Sequence, residues 1–185
     1  MADLYVALAH YPVVDRTGKI VAAAITSLDL HDLARSARTY GAKAFFVIHP
    51  VAEQRAFAAR VIGHWQTGFG RRFDSRRREA LDLTRIVGAL DDAIAAIETA
   101  AGARPLIAFT SARAQGGLGW DAARARLANP AGPPIMVMFG TGFGMAPALA
   151  DRADFTLPPI LGADDYNHLS VRAAAGIILD RLCGR

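Results

Sequence analysis

Short apolar runs alternate with helical patterns along almost the whole chain. Runs with the continuous apolar character of buried parallel strands occupy residues 4–9, 44–48, 105–109, 134–139 and 155–160, with residues 20–25 as a further candidate. Apolar residues at helical spacing predict helices over residues 33–40, 51–65, 120–127 and 166–182, with a helical turn or two at 146–150. This alternation predicts an α/β fold: a mostly parallel sheet with helices on both faces.

The strongest helical pattern lies in the middle of the chain. An apolar stripe of period 3.6 predicts one long helix over residues 77–101, formed by Leu83, Ile86, Val87, Leu90, Ile94 and Ile97. Residues 67–75, which contain two glycines, are predicted to be the loop that precedes it.

Composition narrows the class of protein. The 185 residues are 52% hydrophobic and 21% charged, which excludes a disordered chain and predicts a single domain over residues 1–185. The longest apolar run, residues 173–179, falls far short of the ~18 residues of a membrane span. The N-terminus lacks the basic region of a signal peptide, and Cys183 is the only cysteine, so we expect a reducing, cytoplasmic location.

Positive charge is concentrated in one segment. Net charge is +4 overall, and residues 71–78 (RRFDSRRR) alone hold five arginines and one aspartate. Such a patch suits a phosphate backbone. A solvated loop that leads into a helix is the alternative interpretation.

Three loops should meet at the carboxyl ends of the parallel strands, where α/β sheets bind ligands. They are residues 110–119, 140–145 and 161–168. The second begins Gly140-Thr141-Gly142-Phe143-Gly144, but Met145 stands where a Rossmann motif needs its third glycine, and no P-loop lysine follows. These glycines therefore predict either a tight turn or a ligand loop of another kind.

Metal and nucleophile chemistry have little support. The histidines at 10, 31, 49, 64 and 168 show no metal-ligand spacing, so we expect no metal site. His31 and His168 are interpreted as core or cap residues. Ser111 and Ser170 are predicted to form loop and cap hydrogen bonds, with a serine hydrolase as a remote alternative because the chain lacks a G-x-S-x-G elbow.

Two polar segments carry more hydrogen-bonding side chains than a helix cap requires. In residues 29–38, Asp32 and Arg35 fall on one side of a helix start, with Asp29 as a further candidate. Residues 164–170 (DDYNHLS) precede the apolar final helix, with Asp165 or Asn167 as its predicted cap. Both segments are functional candidates.

Three motifs, in order, resemble the SPOUT class of S-adenosylmethionine-dependent RNA methyltransferases, closest to a bacterial branch of that class. The SpoU-type pattern N-x-G-N-x-x-R, with Gly six residues on, corresponds to residues 29–35 (DLHDLAR) and Gly41, although aspartates replace both asparagines and His31 replaces the glycine. A strand that ends in Phe-Gly before a glycine-rich turn corresponds to residues 137–144, without the usual glutamate. A strand with proline and then Asn-x-x-Ser corresponds to residues 157–170.

The resemblance implies a fold and a cofactor. It implies a C-terminal trefoil knot, a rare exception among protein folds, and a homodimer that packs the first-motif and last helices and shares residues between active sites. S-adenosylmethionine would bind bent in the knot, held by Thr110, Phe139, Gly140, Gly142, Ile160, Gly162, Asn167 and Leu169.

The resemblance also implies a reaction: methyl transfer to a ribose 2′-OH or a guanine ring nitrogen of tRNA or rRNA. Arg35 is expected near the acceptor, with Asp32 or Asp165 as an alternative base. RNA contacts are expected from Arg38, Arg71, Arg72 and Arg76. Because the first motif is altered, a non-catalytic knotted dimer that binds RNA or a nucleotide is the alternative.

Overall fold

The computed structural model describes residues 1–164 and 166–184, and all their side chains except those of residues 68, 69 and 71. The strands are β1 (Leu4–Ala9), β2 (Val13–Val14), β3 (Ile20–Val21), β4 (Ala44–Ile48), β5 (Thr84–Val87), β6 (Leu106–Phe109), β7 (Ile135–Gly140) and β8 (Phe155–Thr156). The helices are α1 (Ser27–Thr39), α2 (Ala52–Gln66), α3 (Gly68–Phe73), α4 (Ser75–Leu81), α5 (Leu90–Ala101), α6 (Trp120–Ala128), α7 (Pro147–Ala150) and α8 (Val171–Cys183).

Six strands form one parallel sheet in the order β5-β4-β1-β7-β6-β8, while β2 and β3 form a separate antiparallel hairpin. The central strand β1 is buried along its whole length, as its uninterrupted apolar sequence predicts. Its neighbours are β4 on one side and β7 on the other, so the chain reverses its winding direction at β1. Such a switch point opens a crevice at the carboxyl ends of the strands.

Helices cover both faces of the sheet, which confirms the predicted α/β architecture. Leu4, Val6 and Leu8 of β1 pack in a core that also contains residues of α1, α2, α4, α6 and α8. Tyr5, Ala7 and Ala9 point to the opposite face, where they share a smaller core with residues of α5 and α7. This division follows from the two-residue period of strand side chains.

The prediction of one long helix over residues 77–101 is wrong. The segment is α4, then β5, then α5, and β5 pairs in parallel with β4 from Phe45↔Thr84 to Ile48↔Val87. Leu83, Ile86 and Val87 matched helical spacing, but the β-branched residues of 84–87 suit an extended strand. The Asp92 carboxylate accepts hydrogen bonds from the amides of residues 88 and 89, which begins a new helix at Leu90.

Other element boundaries also differ from prediction. The loop predicted over residues 67–75 is mostly the short helix α3, and Asp74 caps α4 by accepting from the Arg77 amide at 3.0 Å. The strand predicted over residues 20–25 pairs only at Ile20–Val21. β8 ends at Thr156 instead of residue 160, because the two prolines that follow Leu157 lack the N–H needed to continue the ladder.

Candidate cofactor site

A deep pocket of about 730 Å³ lies at the carboxyl ends of β6, β7 and β8. Its walls come from residues 110–113, 139–145, 158–160 and 167–172. Ala23, Ala24, Thr26 and Asp29, just before and within the first turn of α1, also line it. Parts of all three loops that were predicted to meet at the carboxyl ends of the strands therefore line one cavity. The volume lies within the ~300–1,000 Å³ of small-molecule and cofactor sites.

The glycine-rich loop after β7 is held against the β2–β3 hairpin. The Phe143 amide donates to the Val14 carbonyl at 3.1 Å, and the Val14 amide donates to the Gly144 carbonyl at 2.9 Å. Gly142 and Gly144 have φ of +63° and +119°, a region that other residues seldom adopt. A Cβ on Gly140 would collide with the Met145 side chain. The loop is therefore a fixed wall of the pocket, which favours the ligand-loop interpretation.

Seven of the eight residues predicted to hold the cofactor line this pocket: Thr110, Phe139, Gly140, Gly142, Ile160, Asn167 and Leu169. Two of them also fix its walls. The Thr110 hydroxyl donates to the Met138 carbonyl at 2.8 Å, and the Asn167 amide donates to the Ala112 carbonyl at 3.0 Å. The eighth residue, Gly162, is not among the lining residues, and a Cβ there would lie 2.6 Å from the Tyr166 carbonyl oxygen.

Residues 166–170 lie outside any helix or strand instead of forming the predicted first turn of the last helix. The helix begins at Val171 and its cap is Ser170, whose hydroxyl accepts from the Ala173 amide at 3.2 Å, so the predicted cap at Asn167 or Asp165 is wrong. The Asn167 side chain is bonded across the pocket to Ala112 and is not available to cap α8. This backbone lines the pocket from residue 167 onward.

Alternating charges extend from the pocket wall to the surface. Asp29 is buried, and its carboxylate takes a hydrogen bond from the Thr26 hydroxyl at 2.7 Å and an ion pair from Arg172 at 2.8 Å. Arg172 also lies 3.5 Å from the carboxylate of Asp32, which in turn lies 4.0 Å from Arg35. The predicted cluster on one side of α1 therefore exists, and Arg172 of α8 joins it.

The predicted catalytic residues stand apart from the pocket lining. Neither Asp32 nor Arg35 lines it, and the Arg35 side chain is 63% exposed. Asp165 lies outside the described residues. Arg172, which does line the pocket, was missed by sequence reasoning. Its one signal was a charged residue in the first turn of a helix that is apolar from residue 173 to residue 179.

The predicted RNA-binding residues lie around α1, α3 and α4. Arg38 of α1 forms an ion pair with Glu79 of α4, and these two helices pack together. Arg72 and Arg76 are exposed, whereas the side chain of Arg71 lies outside the described part. The structure therefore brings Arg38 beside the basic segment.

Two histidines are buried next to the pocket region. His10 follows β1 directly, and within the described structure neither of its ring nitrogens has a hydrogen-bond partner. Burial is the main cause that lowers its pKa from 6.5 to about 4. Its neighbour His49 accepts from the Val51 amide through Nδ1 and therefore donates from Nε2 to the Ala23 carbonyl. Both rings are neutral at physiological pH.

The remaining candidates take structural positions. His31 is half-buried on α1 and packs edge-on against Trp65, whereas His168 lines the pocket. The Ser111 hydroxyl accepts from the Arg113 amide, so both predicted loop and cap hydrogen bonds of Ser111 and Ser170 are present. Among the described residues, no group of three or more His, Cys, Asp or Glu is placed to hold a metal ion.

The fold and the pocket together define an α/β protein with a cofactor site at the carboxyl ends of the parallel strands β6, β7 and β8. The chain belongs to a family of S-adenosylmethionine-dependent RNA methyltransferases, whose model matches residues 3–184. This confirms the class and the cofactor that the three motifs suggested. S-adenosylmethionine fits the observed site, because glycines leave space beside apolar walls and the loop backbone is rigidly held.

Related sequences cover the whole chain but are often longer. The chain is 41% identical over 182 residues to a tRNA (guanine-N(1)-)-methyltransferase of Oleidesulfovibrio alaskensis, and 44% identical over 185 residues to a protein of the same name in Nitratidesulfovibrio vulgaris. In both comparisons the aligned region covers 98% of this chain but only 42% of the relative's length. A protein of Aquifex aeolicus is 39% identical over 183 residues, with 99% and 89% coverage.

Solved structures with the same fold are distant in sequence. The SpoU methyltransferase AviRb from Streptomyces viridochromogenes in complex with AdoMet is 18% identical, with a TM-score of 0.56 over 98% of this chain and 57% of that one. An RNA 2′-O ribose methyltransferase is also 18% identical, with a TM-score of 0.58 over 98% and 55%. These similarities show that the fold is shared.

Proposed function

We propose that the chain, as one domain over residues 1–185, transfers a methyl group from S-adenosylmethionine to a nucleotide of tRNA or rRNA. The observation that carries the proposal is the pocket of about 730 Å³, which is lined by both the Gly140–Met145 loop and the Asn167–Ser170 segment. The chain that forms this pocket belongs to a family of S-adenosylmethionine-dependent RNA methyltransferases. The acceptor is a ribose 2′-OH or a guanine ring nitrogen. The names of the relatives support a guanine nitrogen, and the name of one structural neighbour supports a ribose 2′-OH. This chain spans only 42% of the length of the two tRNA methyltransferase relatives.

Apolar side chains and backbone groups would hold the cofactor. Phe139, Ile160 and Leu169 offer surface for the adenine, and the main chain around Gly140 and Gly142 offers hydrogen-bonding groups close to the ligand. Bound S-adenosylmethionine supplies a methyl group on a sulfonium sulfur that is a good leaving group. The protein's task is then to orient the acceptor in line with that group and to exclude water.

Arg35 is the residue we assign to the acceptor. Its guanidinium stays charged, so it would bind the RNA phosphate or stabilise negative charge on the acceptor oxygen or nitrogen instead of taking a proton. A carboxylate, Asp32 or Asp165, is the candidate base. Since Arg35 is exposed and does not line the pocket of its own chain, we propose that it serves the pocket of a partner subunit in a homodimer.

Two further parts of the proposal follow from the resemblance and the composition. A trefoil knot would form around the pocket, where the chain from residue 157 to residue 170 returns beside residues 110–113. The single Cys183 and an RNA substrate favour the cytoplasm. Among the described residues, no helix has the length and apolar character to cross a membrane.

Calorimetric titration tests the cofactor. We expect S-adenosylmethionine and S-adenosylhomocysteine to bind with micromolar affinity, and ATP and NAD not to bind, because the pocket has neither dinucleotide nor P-loop motif. Transfer of labelled methyl from S-adenosylmethionine to unmodified tRNA or rRNA then tests catalysis. Cofactor binding without transfer to any RNA would favour the non-catalytic alternative, and no cofactor binding would contradict the proposal.

The basic segment provides a prediction for RNA. The triple variant Arg71→Ala, Arg72→Ala, Arg76→Ala should weaken RNA binding roughly tenfold or more. It should also lower the salt dependence by about two to three counterions, because each of the three lost phosphate contacts removes roughly 0.7 to 0.9. S-adenosylmethionine affinity should not change. A filter-binding titration at several salt concentrations measures both quantities.

A matched control removes the same charge elsewhere. Arg104, Arg126 and Arg152 are exposed and lie on other parts of the fold, so their replacement by alanine should leave the salt dependence closer to that of the unmodified protein. An equal loss in both triple variants would mean that net charge, not the segment 71–78, binds the RNA.

A further inference from the structure

Arg172 is held in place at the pocket wall by two carboxylates. One terminal nitrogen of its guanidinium pairs with buried Asp29 at 2.8 Å, and Nε lies 3.5 Å from Asp32. Asp29 is itself locked, since it accepts from the Thr26 hydroxyl while its own amide donates back to that hydroxyl. The guanidinium is therefore preorganised before any ligand arrives.

The anchored guanidinium keeps unused donors. Arginine has five N–H groups, and the contacts to Asp29 and Asp32 occupy one terminal nitrogen and Nε. Within the described part of the chain, the other terminal nitrogen has no hydrogen-bond partner, although the side chain is only 33% exposed and lines the pocket. A half-buried cation with free, fixed donors is a site for an anionic group.

The cofactor carries a matching anion. S-adenosylmethionine has one carboxylate, at the end of its amino-acid part, and this is its only anionic group. Resting on the proposed function, we propose that Arg172 binds this carboxylate and so selects S-adenosylmethionine over adenosine compounds that lack it. Arg113, the other described arginine of the lining, is exposed on a loop and lacks such carboxylate anchors among the described residues.

Decarboxylated S-adenosylmethionine is the probe, because it retains the sulfonium, the amine and the adenosine. Loss of Arg172 alone would leave the Asp29 carboxylate buried without its cation, so the test uses the double variant Asp29→Asn, Arg172→Gln, which keeps a neutral hydrogen-bonding pair. We expect S-adenosylmethionine affinity to fall roughly ten- to hundredfold, the contribution of a hydrogen bond to a charged group, while affinity for the decarboxylated compound stays the same.

Two further variants sharpen the calorimetric result. Arg172→Lys should recover part of the preference for S-adenosylmethionine, since it keeps the charge but not the fork of donors. Arg113→Gln, the matched control, should keep the full preference. The unmodified protein and the three variants are each titrated with S-adenosylmethionine and with its decarboxylated form. The comparison separates recognition of the carboxylate from general damage to the pocket.

Different outcomes overturn different statements. An equal loss of affinity for both ligands in the double variant would give Arg172 a purely structural role and overturn this inference alone. A lost preference in Arg113→Gln instead would move the carboxylate site to the loop. If the unmodified protein bound neither ligand, the proposed function itself would fail, and this inference with it.

Discussion

Replacement of Gly142 by valine is expected to weaken S-adenosylmethionine binding roughly hundredfold, since a β-branched residue at positive φ costs about 2 to 3 kcal/mol and each 1.4 kcal/mol is tenfold in affinity. Gly142 has φ of +63°, and a Cβ there would lie 3.2 Å from the Val14 carbonyl oxygen. The loop must then either leave the hairpin or change its backbone conformation. Both movements deform the pocket wall that Gly140 and Gly142 form together. Calorimetry measures the affinity.

A second glycine supplies the control for this variant. Gly102 ends α5 with φ of +72°, has open space around its Cβ position and does not line the pocket. Gly102→Val should therefore lose stability through the same backbone strain while it keeps its cofactor affinity. Equal binding by Gly142→Val and the unmodified protein would mean that the glycine-rich loop is only a turn and that the cofactor contacts lie elsewhere.

The fold was predictable where hydrophobic pattern and tertiary position agree. β1 and β4 are buried on both faces, so their sequences are apolar throughout and their predicted bounds match the structure. β5 is different because it lies at the edge of the sheet and only Thr84 of its residues is buried. Its apolar residues fit a helical period by coincidence, and pairing with β4 decides its conformation.

The site was predictable to the extent that it is built from local motifs. The glycines after β7 and the polar segment before α8 are recognisable from the sequence alone, and both line the pocket. Arg172 was not predictable, because its importance depends on Asp29, which lies 143 residues earlier in the chain. The same pair accounts for an irregularity of the first motif. Aspartate can replace asparagine at the buried position 29 because an arginine from α8 balances its charge.

The folded protein should become less stable as the pH is lowered, because burial lowers the pKa of His10. Its pKa is about 4 in the folded protein and 6.5 in an ordinary environment, so between these values the unfolded chain binds a proton that the folded protein refuses. Stability is therefore complete above about pH 6.5 and declines as pH falls toward about pH 4. From about pH 7.5 to pH 5 the free energy of unfolding should drop by about 2 kcal/mol from this residue alone. Urea denaturation at the two pH values measures the drop.

His10→Leu tests the assignment. Leucine has a similar volume, cannot titrate and leaves no unpaired ring nitrogen in the core, so most of the pH dependence should disappear. A residual dependence of the same sign is expected, since burial also lowers the pKa of His31 and His49. His64 is exposed, and the control variant His64→Gln should retain the full pH dependence of the free energy of unfolding. An unaltered pH profile in His10→Leu would mean that other groups carry the acid sensitivity and that His10 accepts a proton by reaching water or the nearby Asp29 carboxylate.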